Sequence, residues 1–236
     1  MADEFNDIVR LRSKVFDKLH EWPGYETYSR VTQAFPSLEV YLAGGVVRNA
    51  VLGQDIHCKD FDLFFGGDHV DAALHVWAED GNMKLGPYGC PRWMPRLNSG
   101  PYCDLIPIRR FTPGLWPCED IVDVLNQFDI TGNAMAFCLR SGRFFNPQNG
   151  LRDMERRILR CVRFDYPDEP FAPGQSLSRL GVLWFRMLHY ASTLNLRIEP
   201  ITLDWLTERV HFLSAKGAFA ALFFEPEIDC SILNGL

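Results

Sequence analysis

The sequence predicts an α+β (mixed α/β) head over residues 1–165 followed by a helical region over 166–236, on three observations. An apolar run at 38–43 meets a glycine pair and then a stretch of helical character at 46–52, the order strand, turn, helix. Short apolar strands recur between polar turns as far as residue 162. Pro167, Pro170, Pro173 and Gly174 then cluster within 165–175, and a strongly apolar helical segment at 177–194 follows them.

Taken in order, Phe5, Ile8, Val9, Leu11, Val15, Phe16 and Leu19 recur at helical spacing. They predict an amphipathic helix over 4–20 that covers the core and ends near Trp22-Pro23-Gly24. After the 38–52 unit and a turn at Gly53, Asp60-Phe61-Asp62-Leu63-Phe64-Phe65 reads as a strand and 70–78 as a helix. Residues 86–101 are rich in Pro and Gly around a short candidate strand at 92–97. Tyr102-Cys103-Asp104-Leu105-Ile106-Pro107-Ile108 is a further strand, whose proline argues for a sheet edge or a bulge. A helix at 119–128, a strand at 134–139, a turn at 146–150, a charged helix at 151–157 and a strand at 158–162 complete the head. Beyond the boundary, Trp184, Phe185 and Leu188 of the 177–194 helix are expected to pack inside the chain rather than on a dimer face, and the tail reads as helical.

At 236 residues with 47% hydrophobic content the chain has ample material for a core. No run approaches the roughly 20 apolar residues of a membrane span, and Met1-Ala2-Asp3-Glu4-Phe5 lacks the features of a secretory signal, so a cytoplasmic location is expected. The seven cysteines, Cys58, Cys90, Cys103, Cys118, Cys138, Cys161 and Cys230, form no Cys-x-x-Cys pair, and the six histidines show no His-x-x-x-His spacing. Zinc and dithiol redox chemistry are therefore disfavoured. Thirty acidic residues against 24 basic ones give a net charge of −6, which leaves no bulk attraction for nucleic acid. Any RNA contact must be local. Arg92, Arg96, Arg109 and Arg110 form one candidate patch, and Arg152, Arg156, Arg157, Arg160 and Arg163 a second; an ordinary solvated surface also accounts for both.

The chemistry concentrates at 42–65. Glycines let amide N–H groups approach a phosphate without Cβ interference, and a helix start offers unpaired donors. Asp60 and Asp62, at i and i+2 on a strand, point to one face while Phe61 and Leu63 point to the other. Two hard oxygen ligands on one face suit Mg²⁺. Asp104, an acid on a mostly apolar strand, is a candidate third carboxylate for a two-metal site. A tight turn beside a solvated strand face accommodates the same residues. Cys58 and Cys103 lie near these acids, but a thiolate suits Mg²⁺ poorly and both are assigned to packing.

Together these segments resemble the bacterial-type poly(A) polymerase and CCA-adding enzyme family of nucleotidyltransferases, over roughly residues 38–200. Gly44-Gly45-Val46-Val47-Arg48, Leu52-Gly53 and Asp60-Phe61-Asp62 are similar to its Gly-Gly-x-Val-Arg-Asp, Leu-Leu-Gly and Asp-x-Asp signature. Asp129-Ile130-Thr131-Gly132-Asn133-Ala134-Met135-Ala136 resembles its Asp-Phe-Thr-Ile-Asn-Ala-Met-Ala segment, and Asn146-Pro147 through Gly150-Leu151-Arg152-Asp153-Met154, with Arg160, its hinge. The resemblance implies a nucleotidyltransferase fold, a small mixed twisted sheet flanked by helices with a helical neck behind it. It implies an NTP substrate and a two-ion Mg²⁺ site on Asp60, Asp62 and Asp104. Gly44, Gly45 and Arg48 would hold the triphosphate; Asp129, Thr131 and Asn133 would shape the ribose pocket; Arg179 and Arg186 of the neck helix would complete the nucleotide site. The implied reaction is in-line attack of a hydroxyl, most simply an RNA or tRNA 3′ end, on the α-phosphorus with loss of pyrophosphate.

The sequence also departs from that family. Arg48-Asn49 stands for Arg-Asp, and Gln127-Phe128 for an arginine pair. The Glu-Asp-x-x-Arg element that reads the incoming base aligns in one frame with Leu180 and Leu183 at its Asp and Arg. A second frame, Gln175-Ser176-Leu177-Ser178-Arg179, keeps Arg179 and loses both acids. Neither retains the carboxylate acceptor, so templated reading of C and A is not expected. The resemblance covers a catalytic head with a partial neck. Three functions are expected from it: transfer to an RNA end, transfer to a small molecule or protein, or nucleotide binding without catalysis.

Overall fold

The computed structural model describes residues 2–54, 60–86, 89–96, 100–111, 115–171, 176–229 and 231. Helix α1 (Ala2–Glu21) buries Leu11, Val15 and Leu19 on one face, as the helical spacing requires. The break at Pro23-Gly24 is a corner between helices rather than an exit, because α2 (Tyr25–Ala34) starts immediately after it. Trp22 fastens that corner: its indole Nε1 donates to the Pro101 carbonyl at 2.9 Å and its ring packs on Phe61, Trp77 and Trp93.

Strand β1 (Leu38–Ala43) and helix α3 (Gly45–Val51) precede β2 (Asp60–Gly67), α4 (Val70–Asp80), β3 (Gly81–Leu85), β4 (Pro91–Pro95) and β5 (Tyr102–Pro107). Next come α5 (Ile121–Leu125), β6 (Ala136–Cys138), β7 (Phe144–Phe145), α6 (Gly150–Glu155), β8 (Ile158–Leu159), α7 (Arg179–Thr193), β9 (Arg197–Ile198), α8 (Pro200–Glu208) and α9 (Lys216–Leu222). Among the described residues β1 to β7 form one sheet in the order β3-β4-β5-β2-β1-β6-β7. Its neighbours are antiparallel except β2 and β5, which are parallel, so the sheet is mixed.

Period-2 alternation divides the sheet into two cores. Val40, Leu42, Phe61, Leu63, Phe65 and Leu105 join the larger one, with α1, α4 and α7. Tyr41, Ala43, Phe64 and Ile106 face a smaller one closed by Ile121, Val124 and Leu125 of α5. That helix begins on a capping box in which Asp120 accepts from Val122 N and Asp123 N while Asp123 accepts from the Asp120 amide. Ser178 caps α7, accepting from Gly181 N at 3.1 Å. Trp184, Phe185 and Leu188 are fully buried in the larger core, as expected of them.

Several boundaries differ from the sequence reading. Pro107 ends an interior strand, not an edge: β5 lies between β4 and β2, and the missing N–H falls where the chain passes into a 3-10 turn at 108–110. The expected strand at 158–162 is only Ile158–Leu159, followed by an isolated bridge from Cys161 to Ile130. The tail leaves helix after Leu222, and 223–229 runs without regular structure. Among the described residues no helix is long and apolar enough to cross a membrane.

Candidate active site

The alternation that buries Phe61 and Leu63 in the larger core sends Asp60 and Asp62 to the opposite face, ahead of Phe64. The register of β2 sets Asp62 opposite Ala43 of β1 on one side and Asp104 of β5 on the other. Gly44 follows Ala43 with φ +76°, and a Cβ there would lie 2.6 Å from Asp62 Oδ2. Glycine is thus required by backbone conformation and by space. Helix α3 then opens at Gly45 with no side-chain cap on its first amides. A cleft of about 890 Å³ gathers Gly44, Gly45, Arg48, Asp60, Asp62, Asp104, Asp129, Asn133, Arg179 and Arg186. Thr131 is the expected residue that does not line it: fully buried, its hydroxyl donates to Asp153 at 2.6 Å, and Arg160 Nε donates to the same carboxylate at 3.0 Å.

Burial and the neighbouring carboxylates of Asp60 and Asp104 hold the Asp62 carboxyl well above the usual range. The other two acids have protein partners. Asp60 accepts from the Tyr102 hydroxyl at 2.8 Å. Asp104 is gripped by Arg92 in a two-pronged pair, Nε to Oδ1 at 2.7 Å and Nη2 to Oδ2 at 2.9 Å, with the guanidinium 3.8 Å over the Tyr102 ring. Asp60 and Asp62 offer oxygens of the kind Mg²⁺ takes, and the carboxylate repulsion at Asp62, which Arg186 and Arg92 offset only in part, fits a cation. Among the described residues no three His, Cys, Asp or Glu side chains are arranged to hold a metal, and Asp104 faces an arginine instead. Burial, then Asp104 and Asp62, push the cleft-lining Cys90 up to about 11, and Cys103 is fully buried, so both stay thiols at neutral pH. Cys58 lies outside the described residues.

A second cluster ties α3 to α7. Arg48 Nη1 donates to Asn133 Oδ1 and Nε to Asn49 Oδ1 at 3.0 Å. Asn133 Nδ2 donates at 2.8 Å to Asp129, which also accepts from Arg186 Nε at 2.7 Å. The Tyr190 ring lies under both guanidiniums, 4.7 Å from Arg48 and 5.3 Å from Arg186. Burial opposes charge on Asp129, but Arg186 and the bonds from Asn133 and the Ile130 amide outweigh it and hold its carboxyl below the usual range.

The departures take physical form. Asn49 supplies an amide acceptor to Arg48 where the resemblance places a carboxylate. Gln127 is buried and spent on the 115–118 loop: Oε1 accepts from Leu115 N and Trp116 N, and Nε2 donates to the Trp116 carbonyl at 3.1 Å. Leu183 lines the cleft, whereas Leu180 packs against the larger core; Gln175 of the second frame lies outside the described residues. Most of the patch arginines are paired with acids: Arg92 with Asp104, Arg109 with Glu119, Arg110 with Asp71, Arg160 with Asp153 and Arg163 with Asp165. The sequence reading missed a further wall, Leu222, Phe223, Phe224, Glu225 and Glu227, from the tail. Its Phe-Phe-Glu-Pro-Glu run has no periodicity to announce it.

No family profile matches the chain. A multifunctional CCA protein of Xanthomonas oryzae pv. oryzae (strain MAFF 311018) is 28% identical over 159 residues, covering 63% of this chain. The chain is similar in sequence to that CCA protein. It has the nucleotidyltransferase fold: a tRNA nucleotidyltransferase complexed with a primer tRNA and an incoming ATP analog superposes with a TM-score of 0.56 at 22% identity, over 80% of this chain and 51% of that one. A CCA-adding enzyme with ATP gives 0.58 at 19% identity, over 81% and 44%. The chain spans 37% of the Xanthomonas relative and about half of these two structures.

Proposed function

We propose that this chain is a Mg²⁺-dependent nucleotidyltransferase that moves a nucleoside monophosphate from an NTP to a hydroxyl, on the 3′ end of an RNA such as tRNA. The observation that carries this is the register of β1, β2 and β5, which sets Asp62 between the Gly44 turn and Asp104 in the same cleft as Arg48 and Arg186. Mg²⁺ on Asp60 and Asp62 would neutralise phosphate charge as the hydroxyl attacks and pyrophosphate leaves. The chain's own residues do the positioning. The Gly44-Gly45 backbone admits phosphate oxygens where a Cβ would collide with Asp62. Asn133 and Tyr190 hold the Arg48 guanidinium facing the cleft, while Asp129 sets Arg186 beside it. The kinship with CCA-adding enzymes supports tRNA as the acceptor.

The test is transfer of α-³²P from each of the four NTPs, with Mg²⁺, to total tRNA and to a generic RNA oligomer, beside Asp60→Ala. Label on RNA that vanishes in the variant is expected; undiminished labelling by the variant sinks the assignment. A second reading, with a small molecule or protein as acceptor, is favoured by the patch arginines, since those paired with acids offer less charge to a phosphate backbone. Label in a small-molecule or protein fraction of cell extract, with none on RNA, would select it.

A further inference from the structure

The lining of the cleft falls into two chemically distinct groups. One is the glycine turn, the carboxylates and Arg48; the other is Val182, Leu183 and His189 of α7 with Leu222, Phe223 and Phe224 beside them. The tail that supplies the last of these is fixed along α7. The Glu227 amide donates to His189 Nδ1 at 3.1 Å, and the Asp229 amide to Ser192 Oγ at 3.1 Å. Because Nδ1 accepts, the His189 proton sits on Nε2. Phe224 lies against the same imidazole, ring centroids 4.5 Å apart, and against Phe219 at 5.2 Å. The tail's three carboxylates, Glu225, Glu227 and Asp229, are solvent-exposed, and Glu225 pairs with Lys216 at 2.8 Å.

We propose that the segment 223–229 and α7 form the base-binding wall of the nucleotide site, in which the base is held by stacking on Phe224 and apolar contact with Leu183 rather than by hydrogen-bonded reading of its edge. This rests on the nucleotidyltransferase reading and names how that site treats its substrate. A triphosphate on the charged group leaves the flat π-face of the base to the aromatic group. Stacking accepts every base because each has a π-face, whereas rejection of a wrong base needs a donor and acceptor set fixed against its edge. In one frame the paired aspartate and arginine positions are leucines and in the other only Arg179 is kept, so neither supplies a carboxylate acceptor, and Leu183 brings only methyl groups to the wall. Binding should therefore be tolerant of the base, with purines favoured for their larger stacking area.

The experiment measures equilibrium binding of ATP, GTP, CTP and UTP with Mg²⁺ to the full chain, to Phe224→Leu and to Phe224→Trp. Leucine keeps apolar bulk, so a thermal melt like that of the wild type certifies its fold; tryptophan restores the π-face. The expected result is four affinities within about tenfold, purines first, weakened together by roughly tenfold in Phe224→Leu and recovered in Phe224→Trp. A preference of a hundredfold for one base overturns the inference, as does wild-type binding by Phe224→Leu. Selection of ATP and CTP over GTP and UTP that disappears in Glu227→Gln overturns it too, in favour of a tail carboxylate reading the exocyclic amine. Binding of NTP with no transfer to any acceptor strikes the catalytic reading and leaves this wall standing; absence of any NTP binding removes both.

Discussion

Gly44 and Asp62 constrain each other. The left-handed backbone at Gly44 and the 2.6 Å approach of Asp62 to its absent Cβ make Gly44→Ala costly twice over. We expect a loss of about 1–3 kcal/mol in denaturant titration, together with a fall in transfer, because Asp62 must move. Asp62 itself stands at neutral pH among charges that oppose its ionisation. Asp62→Asn should therefore raise stability by roughly 0.5–2 kcal/mol while lowering transfer at least about a thousandfold, the pattern of a site that trades stability for function. A variant both less stable and inactive would show that Asp62 has a structural role.

At the scale of elements, the Asp129–Arg186 pair joins the 129–133 turn to α7 with side chains only 13% and 22% exposed. Arg186→Met leaves Asp129 buried without its strongest cationic partner, and a cost of about 3 kcal/mol is expected. The sign with pH comes from the lowered carboxyl of Asp129. Its stabilisation is full above the unfolded value near 4 and disappears as pH falls through the lower folded value. Melts from about pH 7 to pH 2 should show the gap between wild type and Arg186→Met closing only on the acid side; a constant gap contradicts the pair. These elements were unequally legible. The facing of Asp60 and Asp62 is dictated by the period of a strand, but their meeting with Asp104 needs the parallel pairing of β2 with β5, separated by α4, β3 and β4, which no local pattern specifies. Helix α2 was hidden by Pro23-Gly24, which marks the end of one helix and carries no signal for the start of another.

Across the whole molecule, sequence composition read the acid balance correctly but not its arrangement. Arginines spaced like a nucleic-acid patch pair with acids, near in sequence as Arg163 does with Asp165 or distant as Arg110 does with Asp71. The resemblance puts Thr131 in the pocket with Asp129 and Asn133, yet the turn closed by the Asn133 and Ala134 amides on the Ile130 carbonyl breaks the alternation and sends it to Asp153. The tail wall was illegible because nothing in 223–229 repeats. The division at 165–175 raises a separate physical question. Val182, Trp184 and Phe185 of α7 and Leu206 of α8 share a buried cluster with Leu42, Phe61 and Leu105 of the sheet, and β8 before the division pairs with β9 after it. Regions with one core melt together, because exposing either opens the other's apolar surface. The full chain should therefore unfold in a single transition by calorimetry, with calorimetric and van't Hoff enthalpies equal, and Trp184→Ala should lower that one transition by about 3–5 kcal/mol of stability. Two transitions, of which Trp184→Ala moves only one, would establish the head and the helical region as separate folding units.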